Sequence, residues 1–450
     1  MPIVLTILAA TILQTSPLVD RSEVRAQYSL SPDSKGFSLI CADVVPSMGD
    51  AAEPNAANAF GVGFDLHNPK ERDPFNANGN IYGRPEREAS LHWNGTEVAN
   101  RLSPIEIKSE KPEEARVKVE WTLGGSLVSV WIGKTTIYDR YFIPNMRPLK
   151  SNWNLAGAMG ETKPSYGRNK KEEPSQKVRV FEGEINDAAR HRFTKTAQLP
   201  ENIDKVGRVI ATLKLGPTPK GIDPWDRLAS LYVTDQNGQR FELIRCLTPY
   251  RKGWTWQLDV THLLPLLKGK KEFGWECETW GEGWSITFDL EYFEGRLSPR
   301  PVAVLPLWQG TFEIGTKKPL PAPTTLELPA FSKAQIVTAV TGHGMNPNTG
   351  NAAEFIKLWR KIVVNGTAFQ NDLWKEDNYL NPCRPQGGTW KYDRAGWAPG
   401  SVVDPWVLDV TKQVKPRTVF EYQIQPYENK TPVDGNPARH VIESVLVLWR

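Results

Sequence analysis

The sequence lacks the short motifs that mark the commonest metal and nucleotide sites. Its four cysteines (Cys41, Cys246, Cys277 and Cys383) lie far apart and form no CxxC pair, and its six histidines form no HxH or HExxH pattern. These spacings predict neither a structural zinc site nor a disulfide framework. The sequence also contains no P-loop, no GxGxxG and no GxSxG. We therefore expect no metal ion and no cofactor.

The chain also lacks a strong charge of one sign and a long apolar run. Its 55 Lys and Arg against 51 Asp and Glu give a net charge of +4, which gives no reason to expect nucleic-acid binding. The apolar run from Ile3 to Leu13 is too short to span a membrane and has the length of a signal-peptide core. We interpret residues 1–27 as an export signal, with a buried strand or helix as the alternative. The expectation is an exported monomer (secreted, periplasmic or at the cell surface) with no membrane span.

Turn residues and short alternating segments are abundant. The 36 Pro and 35 Gly, placed between short runs of alternating polar and apolar residues, predict an all-β protein. A chain of 450 residues is too long for one ordinary core, so we expect several domains. The predicted units are a β-sandwich at 28–166, a polar linker at 167–176, and two further sandwiches at 177–320 and 321–450. In the first unit, the segments FGVGFDLHNP and EASLHWNG are similar to those of concanavalin-like jelly rolls, which implies a lectin-like accessory domain.

Residues 221–250 contain the clearest local signal. The segments LASLYVTD and RFELIRCL alternate on either side of a QNGQ turn, so they predict a β-hairpin. The triplet Trp225-Asp226-Arg227 stands directly before the first strand, on a loop held by a rigid sheet, where catalytic residues concentrate. A structural Asp–Arg pair that closes a turn is the alternative, and chemistry alone favours it.

Hydrolysis of an amide needs an activated water, a polarised carbonyl and a proton for the leaving nitrogen. Carboxylates at Asp226, Glu278 and Glu354 are candidates for these tasks, but they are widely separated in sequence. Only a fold that brings strand ends together would make them one site. Taken alone, Glu278 fits better as an exposed strand residue. The segment 371–400 lacks long apolar runs and is dense in Trp, Pro, Gly and Asp, which is typical of a functional loop.

Several of these segments occur in the order of a known family. The triplets WDR (225–227), TPY (248–250), DVT (259–261) and ETW (278–280) are followed by TGHG, AEF and GTWKYDRAGWAPG. Over residues 177–450 this order resembles the bacterial peptide-N-glycosidase F family. The resemblance implies two adjacent antiparallel jelly rolls with the active site in the cleft between them. It also implies hydrolysis of the amide bond between Asn and the first N-acetylglucosamine of an N-glycosylated peptide or protein.

The same resemblance implies the residues of the site. The essential Asp of the family's WDR motif corresponds to Asp226, and its two Glu correspond to Glu278 and Glu354. Residues that line the family's site or contact its substrate correspond to Arg227, Trp280, Arg394 and Trp397. On this basis Asp226 acts on the water or on the amide next to the proximal sugar, while the two Glu orient water and substrate and repel one another.

The chain departs from the family pattern in its last unit. Ala352, Ile356 and Ala398 stand where the family has cysteines, as though whole disulfides were absent. The turn Thr341–Gly344 lacks the family's Trp, and His343 lies there instead. We expect this change to remove one wall of the sugar site.

Two other function classes compete with this interpretation. One is a non-catalytic glycan-binding or cell-surface protein on the same scaffold, because a fold alone does not determine function. The other is a copper monooxygenase, whose family shares the paired jelly rolls. Copper sites need several His or Met ligands, and six scattered His with five Met argue against one.

Overall fold

The computed structural model describes residues 19–43, 52–66, 87–107, 111–168, 173–315, 320–346, 351–428 and 437–450. Within these ranges the chain is built from β-strands and three short 3₁₀ turns, with no α-helix, so the predicted all-β class is confirmed. No helix among the described residues has the length and apolar character needed to cross a membrane. Most of the predicted export segment, residues 1–18, lies outside the described residues.

The chain divides into two compact units, with the main boundary between Glu172 and Glu173. The N-terminal unit contains two five-stranded antiparallel sheets. In sheet order, the first contains β10 (Met159–Tyr166), β1 (Arg21–Ser29), β6 (Glu113–Thr122), β7 (Gly125–Ile132) and β8 (Thr135–Pro144). The second contains β5 (Thr96–Leu102), β4 (Glu88–Trp93), β3 (Phe60–Asp65), β2 (Gly36–Cys41) and β9 (Trp153–Ala156). Apolar rings join the two sheets, as where Tyr28 of β1 stacks on Phe37 of β2 with centroids 4.3 Å apart.

Strand β1 corrects one predicted boundary. We expected residues 1–27 to be an export segment and the first domain to start at residue 28. Instead, β1 pairs along its length with β6 and β10, and Val24 and Ala26 are fully buried. Alternation of buried and exposed side chains from residue 21 onward makes this segment a half-buried sheet strand. The first sandwich therefore begins before residue 28.

The C-terminal unit contains two eight-stranded antiparallel sandwiches, as expected for paired jelly rolls. The first, called here sandwich A, has two four-stranded sheets. In sheet order, one contains β11 (Gln176–Asn186), β18 (Trp284–Glu294), β13 (Val206–Gly216) and β16 (Trp254–Asp259). The other contains β12 (Arg192–Gln198), β17 (Lys270–Cys277), β14 (Leu228–Thr234) and β15 (Arg240–Leu247). The second, sandwich B, also has two four-stranded sheets. In sheet order, one contains β19 (Pro301–Glu313), β28 (Arg439–Trp449), β21 (Lys333–His343) and β26 (Trp406–Asp409). The other contains β20 (Thr324–Glu327), β27 (Arg417–Ile424), β24 (Leu358–Val364) and β25 (Thr367–Leu373). The short strands β22 (Met345–Asn346) and β23 (Asn351–Ala352) form a separate ribbon.

Strand β19 corrects a second boundary. The predicted division between residues 320 and 321 assigns the segment 301–313 to the sandwich at 177–320. It is instead a long strand of sandwich B that pairs with β28 from Pro301 to Glu313. Its prolines do not prevent pairing because β19 is at the edge of its sheet, where one side of the strand needs no ladder hydrogen bonds. Sandwich B therefore starts about twenty residues earlier than predicted.

The predicted hairpin is confirmed, and a second one lies in sandwich B. Strands β14 and β15 pair around the QNGQ turn, where Gly238 adopts a φ of +80° that glycine accommodates without strain. Strands β24 and β25 pair around Asn365 and Gly366. Before β24, a 3₁₀ turn covers Ala353–Phe355, and the strand begins at Leu358.

Antiparallel pairing in sandwich A brings three motifs to one sheet edge. The start of β14 faces the end of β17, with Ala229 opposite Cys277, and the end of β15, with Leu228 opposite Leu247. The residues just outside these strand ends are therefore neighbours. They are the WDR triplet before β14, TPY after β15 and ETW after β17.

Sandwich B packs against this same region through strand β15. Residues 400–403 run beside β15, with Leu247 N–H donating to the Ser401 carbonyl at 3.0 Å and Gly400 N–H donating to the Leu247 carbonyl at 2.9 Å. Val445 and Val447 of β28 belong to the apolar core of sandwich A. The two sandwiches thus share buried surface, and the cleft between them has rigid walls.

Candidate active site

A cleft of about 1160 Å³ lies between sandwiches A and B. All seven residues predicted for the site line it, three of them on sandwich B. They are Asp226, Arg227, Glu278, Trp280, Glu354, Arg394 and Trp397. The structure therefore brings together side chains that are widely separated in sequence.

Asp226 is the carboxylate at the junction of the two sandwiches. It is half-buried, and the Tyr250 hydroxyl donates a hydrogen bond to its carboxylate. Burial raises the pKa of Asp226, while the charge of Arg394, the Tyr250 hydrogen bond and Arg227 act in the opposite direction. Burial removes water from this carboxylate, while the hydrogen-bond donor and the nearby positive charges favour its ionised form. Both conditions suit a general base.

The loop that carries Asp226 is anchored by a buried acid, Asp223. The Asp223 carboxylate is fully buried and accepts hydrogen bonds from the Trp225 N–H (2.9 Å) and from the Thr279 hydroxyl. Arg227 N–H donates to the Thr248 hydroxyl at 2.8 Å. These bonds fasten the WDR, TPY and ETW motifs to one another, which fixes the backbone on both sides of Asp226.

Glu354 and Arg394 form an ion pair on sandwich B. Arg394 Nε donates to Glu354 Oε1 at 3.1 Å, and the Arg394 side chain is only 1% exposed. Burial raises the pKa of Glu354, Arg394 opposes that effect, and the negative charge of Asp226 raises the pKa further. Asp226 is therefore close enough to affect the ionisation of Glu354.

Arg394 is occupied by the protein itself. Besides Glu354, its Nη1 donates to the carbonyls of Thr389 (2.8 Å) and Tyr392 (3.0 Å), and its Nη2 donates to the Thr389 hydroxyl (2.7 Å). Four of the five guanidinium N–H groups are thereby used. This differs from the expectation that Arg394 contacts substrate, because its geometry is that of a residue that positions Glu354.

A chain of hydrogen bonds connects Arg394 with Asp226. Arg394 Nη2 donates to Thr389 Oγ1, which lies 3.3 Å from the Tyr250 hydroxyl, and Tyr250 donates to Asp226. When Tyr250 donates to the carboxylate, Thr389 is left to donate to Tyr250. Each donor in the chain then points towards Asp226 and favours its ionised form.

Trp397 lies behind the cleft wall. It is 3% exposed, its Nε1 donates to the Gly342 carbonyl at 2.8 Å, and its ring stacks on His343 with centroids 5.3 Å apart. The tight turn before it needs Gly396, whose φ is +81° and where a Cβ would lie 2.5 Å from Leu373. His343 thus packs on Trp397 within the turn that lacks the family's Trp.

The remaining predicted residues occupy the open side of the cleft. Glu278 is 65% exposed and lies 4.0 Å from Arg192. Trp280 is 70% exposed, and the Arg227 guanidinium lies over its ring, 4.8 Å from the centroid. An exposed indole with a cation on one face offers an aromatic surface to a ligand.

Sequence reasoning missed three residues of the site: Tyr250, Thr389 and Arg439. Burial raises the pKa of Tyr250 above its usual range, and the charge of Asp226 adds to this effect. Arg439 also lines the cleft, and burial lowers its pKa while the charges of Glu354 and Glu278 act against that shift. Tyr250 and Thr389 lie inside the motifs TPY and GTWKYDRAGW, so their position in a motif was the available signal. Arg439 had none.

Among the residues described, one group of His, Cys, Asp and Glu side chains is close enough to hold an ion: Glu53, His92 and Glu97, whose ligand atoms lie within 4.8 Å of one another. That group belongs to the N-terminal unit.

Comparisons with known proteins agree with this architecture. Residues 315–447 match the model for the C-terminal domain of peptide-N-glycosidase F. The chain is 29% identical over 279 residues to peptide-N(4)-(N-acetyl-beta-D-glucosaminyl)asparagine amidase F of Elizabethkingia miricola, covering 56% of this chain and 75% of that protein.

Two solved structures show the same fold. PNGase F, described as a glycosylasparaginase from Flavobacterium meningosepticum, superimposes with a TM-score of 0.56 and 25% identity, over 61% of this chain and 95% of that one. PNGF-II superimposes with a TM-score of 0.50 and 14% identity, over 95% of this chain and 99% of that one, which shows a likeness of fold alone. The matched domain, the sequence similarity and the shared jelly rolls together support a protein of the peptide-N-glycosidase F family.

Proposed function

We propose that this protein is a glycoamidase that hydrolyses the β-amide bond between Asn and the first N-acetylglucosamine of N-glycosylated peptides or proteins. The observation that carries this proposal is the convergence of Asp226, Glu354 and Glu278 on one cleft, with Asp226 and Glu354 joined through Arg394. Membership of the family supports the reaction class, and the cleft supplies the groups that amide hydrolysis needs.

In the proposed reaction a water molecule attacks the side-chain carbonyl carbon of Asn. A C–O bond forms at that carbon, its amide C–N bond breaks while the nitrogen stays bonded to the sugar, and the proton lost by the water is balanced by one gained by the leaving nitrogen. The products are an Asp-containing peptide and a glycosylamine, which decays in water to the free glycan and ammonia. No cofactor enters this balance.

The environments of the acids suggest how they share the work. Asp226 receives the donor chain through Tyr250, which favours the carboxylate that accepts the proton from water. Glu354, held by Arg394, orients the water and substrate, and the charge of Asp226 raises its pKa. Glu278 and Trp280, on the exposed side, contact the sugar next to the bond. Arg394 and Trp397 position these groups from behind the wall.

The test is incubation of the purified chain with a defined N-glycopeptide in water enriched in heavy oxygen, read by mass spectrometry. The expected product is a peptide with Asp at the former Asn and one heavy oxygen in that side chain. Asp226→Asn should abolish this product. Asp204→Asn is the matched control, because Asp204 is an exposed acid of the same sandwich away from the cleft. An unmodified peptide from the wild-type chain would contradict the proposal.

Glycan binding without catalysis is the second candidate function, because two expected substrate-binding residues are buried. With Arg394 1% exposed and Trp397 3% exposed, a glycan-binding protein on the same scaffold would retain the cleft without turnover. Retention of the intact glycopeptide on a column of immobilised protein, with no cleavage, would favour that function. For either function we propose that the chain works outside the cell as a monomer. The measurements are the culture fraction that contains it and its mass in solution.

A further inference from the structure

The cleft extends beyond the predicted residues to a second group of polar side chains. This extension is lined by Arg240, Glu242 and Arg245 of β15, Gln309 of β19 and Glu443 of β28. It is next to the candidate catalytic acids, because the charges of both Arg245 and Arg394 act on His343, which also lines the cleft. No part of the proposed reaction uses these residues.

The charges of the extension are matched in pairs. Arg245 holds Glu242 through two bonds, Nη2 to Oε2 at 2.9 Å and Nε to Oε1 at 3.0 Å. Arg240 Nη2 lies 2.7 Å from Glu276 Oε1. Arg245 Nη1 donates to the Val441 carbonyl at 2.6 Å, which ties β15 to β28. Because each cation already has a carboxylate partner, the extension offers no spare positive charge to an anionic ligand.

Glu443 is the acid left over from this pairing. It is 9% exposed, and none of the ion pairs found in the described part of the chain includes it. The Glu242 N–H donates to its Oε1 at 3.3 Å, and Gln309 also hydrogen-bonds to the carboxyl. A buried acid with no cation of its own favours the protonated form, which both donates and accepts hydrogen bonds.

The ionisation of Glu443 agrees with this geometry. Burial and then the neighbouring charge of Glu242 raise the pKa of Glu443 to about 8, with Arg245 acting weakly in the opposite direction. The strands on either side present Gln309 and Ala339 opposite Glu443, and neither residue titrates. At neutral pH the carboxyl is therefore a donor at the edge of the cleft.

We infer that this extension is a second subsite, which binds neutral sugars further along the N-glycan, with Glu443 and Gln309 hydrogen-bonding to their hydroxyl groups. Sugar hydroxyls donate and accept at once, which suits a protonated acid beside an amide. The polar lining provides no apolar pocket for peptide side chains, and its balanced charge does not favour sialic acid or phosphate. The identity of the ligand as a glycan rests on the proposed function.

The test is calorimetric binding of two free oligosaccharides, chitobiose and the mannose-bearing N-glycan core, to the full chain. Glu443→Ala should weaken binding of the mannose-bearing core about tenfold, the size expected for losing one buried hydrogen bond with its partner left unpaired. It should leave chitobiose binding unchanged. Glu443→Gln, which keeps the shape, a donor and an acceptor, should bind both oligosaccharides as the wild type does.

The pH dependence gives an independent readout. The affinity of the wild type for the mannose-bearing core should fall as pH rises through about 8, because the donor is lost when Glu443 ionises. The affinity of Glu443→Gln should not fall in that range. Equal binding of the core by wild type and Glu443→Ala would overturn the subsite. The subsite would also be overturned if, in a series of glycopeptides, the loss of affinity in Glu443→Ala grew with the length of the peptide. That result would show that the extension binds peptide.

This design separates the subsite from the reaction. Binding of free oligosaccharides needs no hydrolysis, so a chain that cleaves nothing but shows the Glu443 effect would retain the subsite and lose the proposed function. A chain that cleaves glycopeptides but binds the core independently of Glu443 would do the opposite. Thermal unfolding of each variant identifies any that fails to fold, in which case Glu443→Gln and its pH profile carry the test.

Discussion

The two glutamates of the cleft lie in opposite environments. Glu354 on sandwich B is 19% exposed and held by an arginine that is almost fully buried, whereas Glu278 on sandwich A is 65% exposed and lies 4.0 Å from an exposed arginine. A buried ion pair keeps its geometry without substrate, while an exposed side chain is free to sample rotamers. The wall on sandwich B is therefore preorganised at its glutamate, whereas the glutamate on sandwich A has no buried partner to hold it.

The largest effect on catalysis should come from Asp226, the acid at the junction of the two sandwiches. Asp226→Asn keeps the shape of the side chain but removes the base, so kcat should fall about 10³-fold, the range typical of general acid–base catalysis. Steady-state kinetics on a glycopeptide measure this change, and the melting temperature should stay near that of the wild type. An Asp226→Asn enzyme with wild-type kcat would show that Asp226 is not the base.

The next effect separates the two arginines. Arg394→Ala leaves Glu354 without its partner and removes the bonds to residue 389, so the free energy of unfolding should fall by about 3 kcal/mol. Arg192→Ala is the matched control, because its pair with Glu278 is exposed and should contribute almost nothing to stability. Denaturant titrations of both variants measure the difference. Equal losses of stability would contradict a preorganised wall on sandwich B alone.

The third effect should be on binding alone. Trp280→Ala removes the exposed aromatic surface of sandwich A, so KM should rise about tenfold while kcat stays close to wild type. Stability should not change, because the side chain is 70% exposed. Trp225→Ala serves as the control: Trp225 is 57% exposed but does not line the cleft, so its loss should leave KM unchanged. If Trp280→Ala lowered kcat and not KM, the ring would belong to the reaction step.

Local sequence patterns predicted much of this arrangement. Alternation and turn residues predicted the β14–β15 hairpin, and the ordered motifs predicted seven residues that the structure places along one cleft. The predicted boundaries were wrong at Arg21, where a strand begins inside the predicted export segment, and at Pro301, where a strand of sandwich B begins inside the sandwich predicted at 177–320. Local patterns do not report which strand pairs with which, and edge strands tolerate proline.

Contacts between the two sandwiches could not be predicted from local sequence patterns. The bond network from Arg394 through Thr389 to Tyr250 joins residues far apart in the chain, and the burial of Arg394 depends on how the second sandwich packs. Glu443 lies in a strand whose sequence, HVIESVLVLW, is mostly apolar. Nothing in that local sequence indicates an acid without a cationic partner. Exposure and long-range partners decide whether such groups position, bind or react.

The smallest effect should come from the hydroxyl that connects the two walls. Thr389→Val removes the donor to Tyr250, which weakens the Tyr250 hydrogen bond to Asp226 and disfavours the carboxylate. Because the ionised form is the one that loses support, the pKa of Asp226 should rise. The acid limb of the pH profile of kcat/KM should then move to higher pH by a fraction of a unit. Thr389→Ser restores the hydroxyl and should restore the wild-type limb, whereas a purely structural role for Thr389 would lower the melting temperature and leave the limb in place. A shift in Thr389→Val that Thr389→Ser reverses would show that the preorganised wall acts on Asp226 through this one hydroxyl.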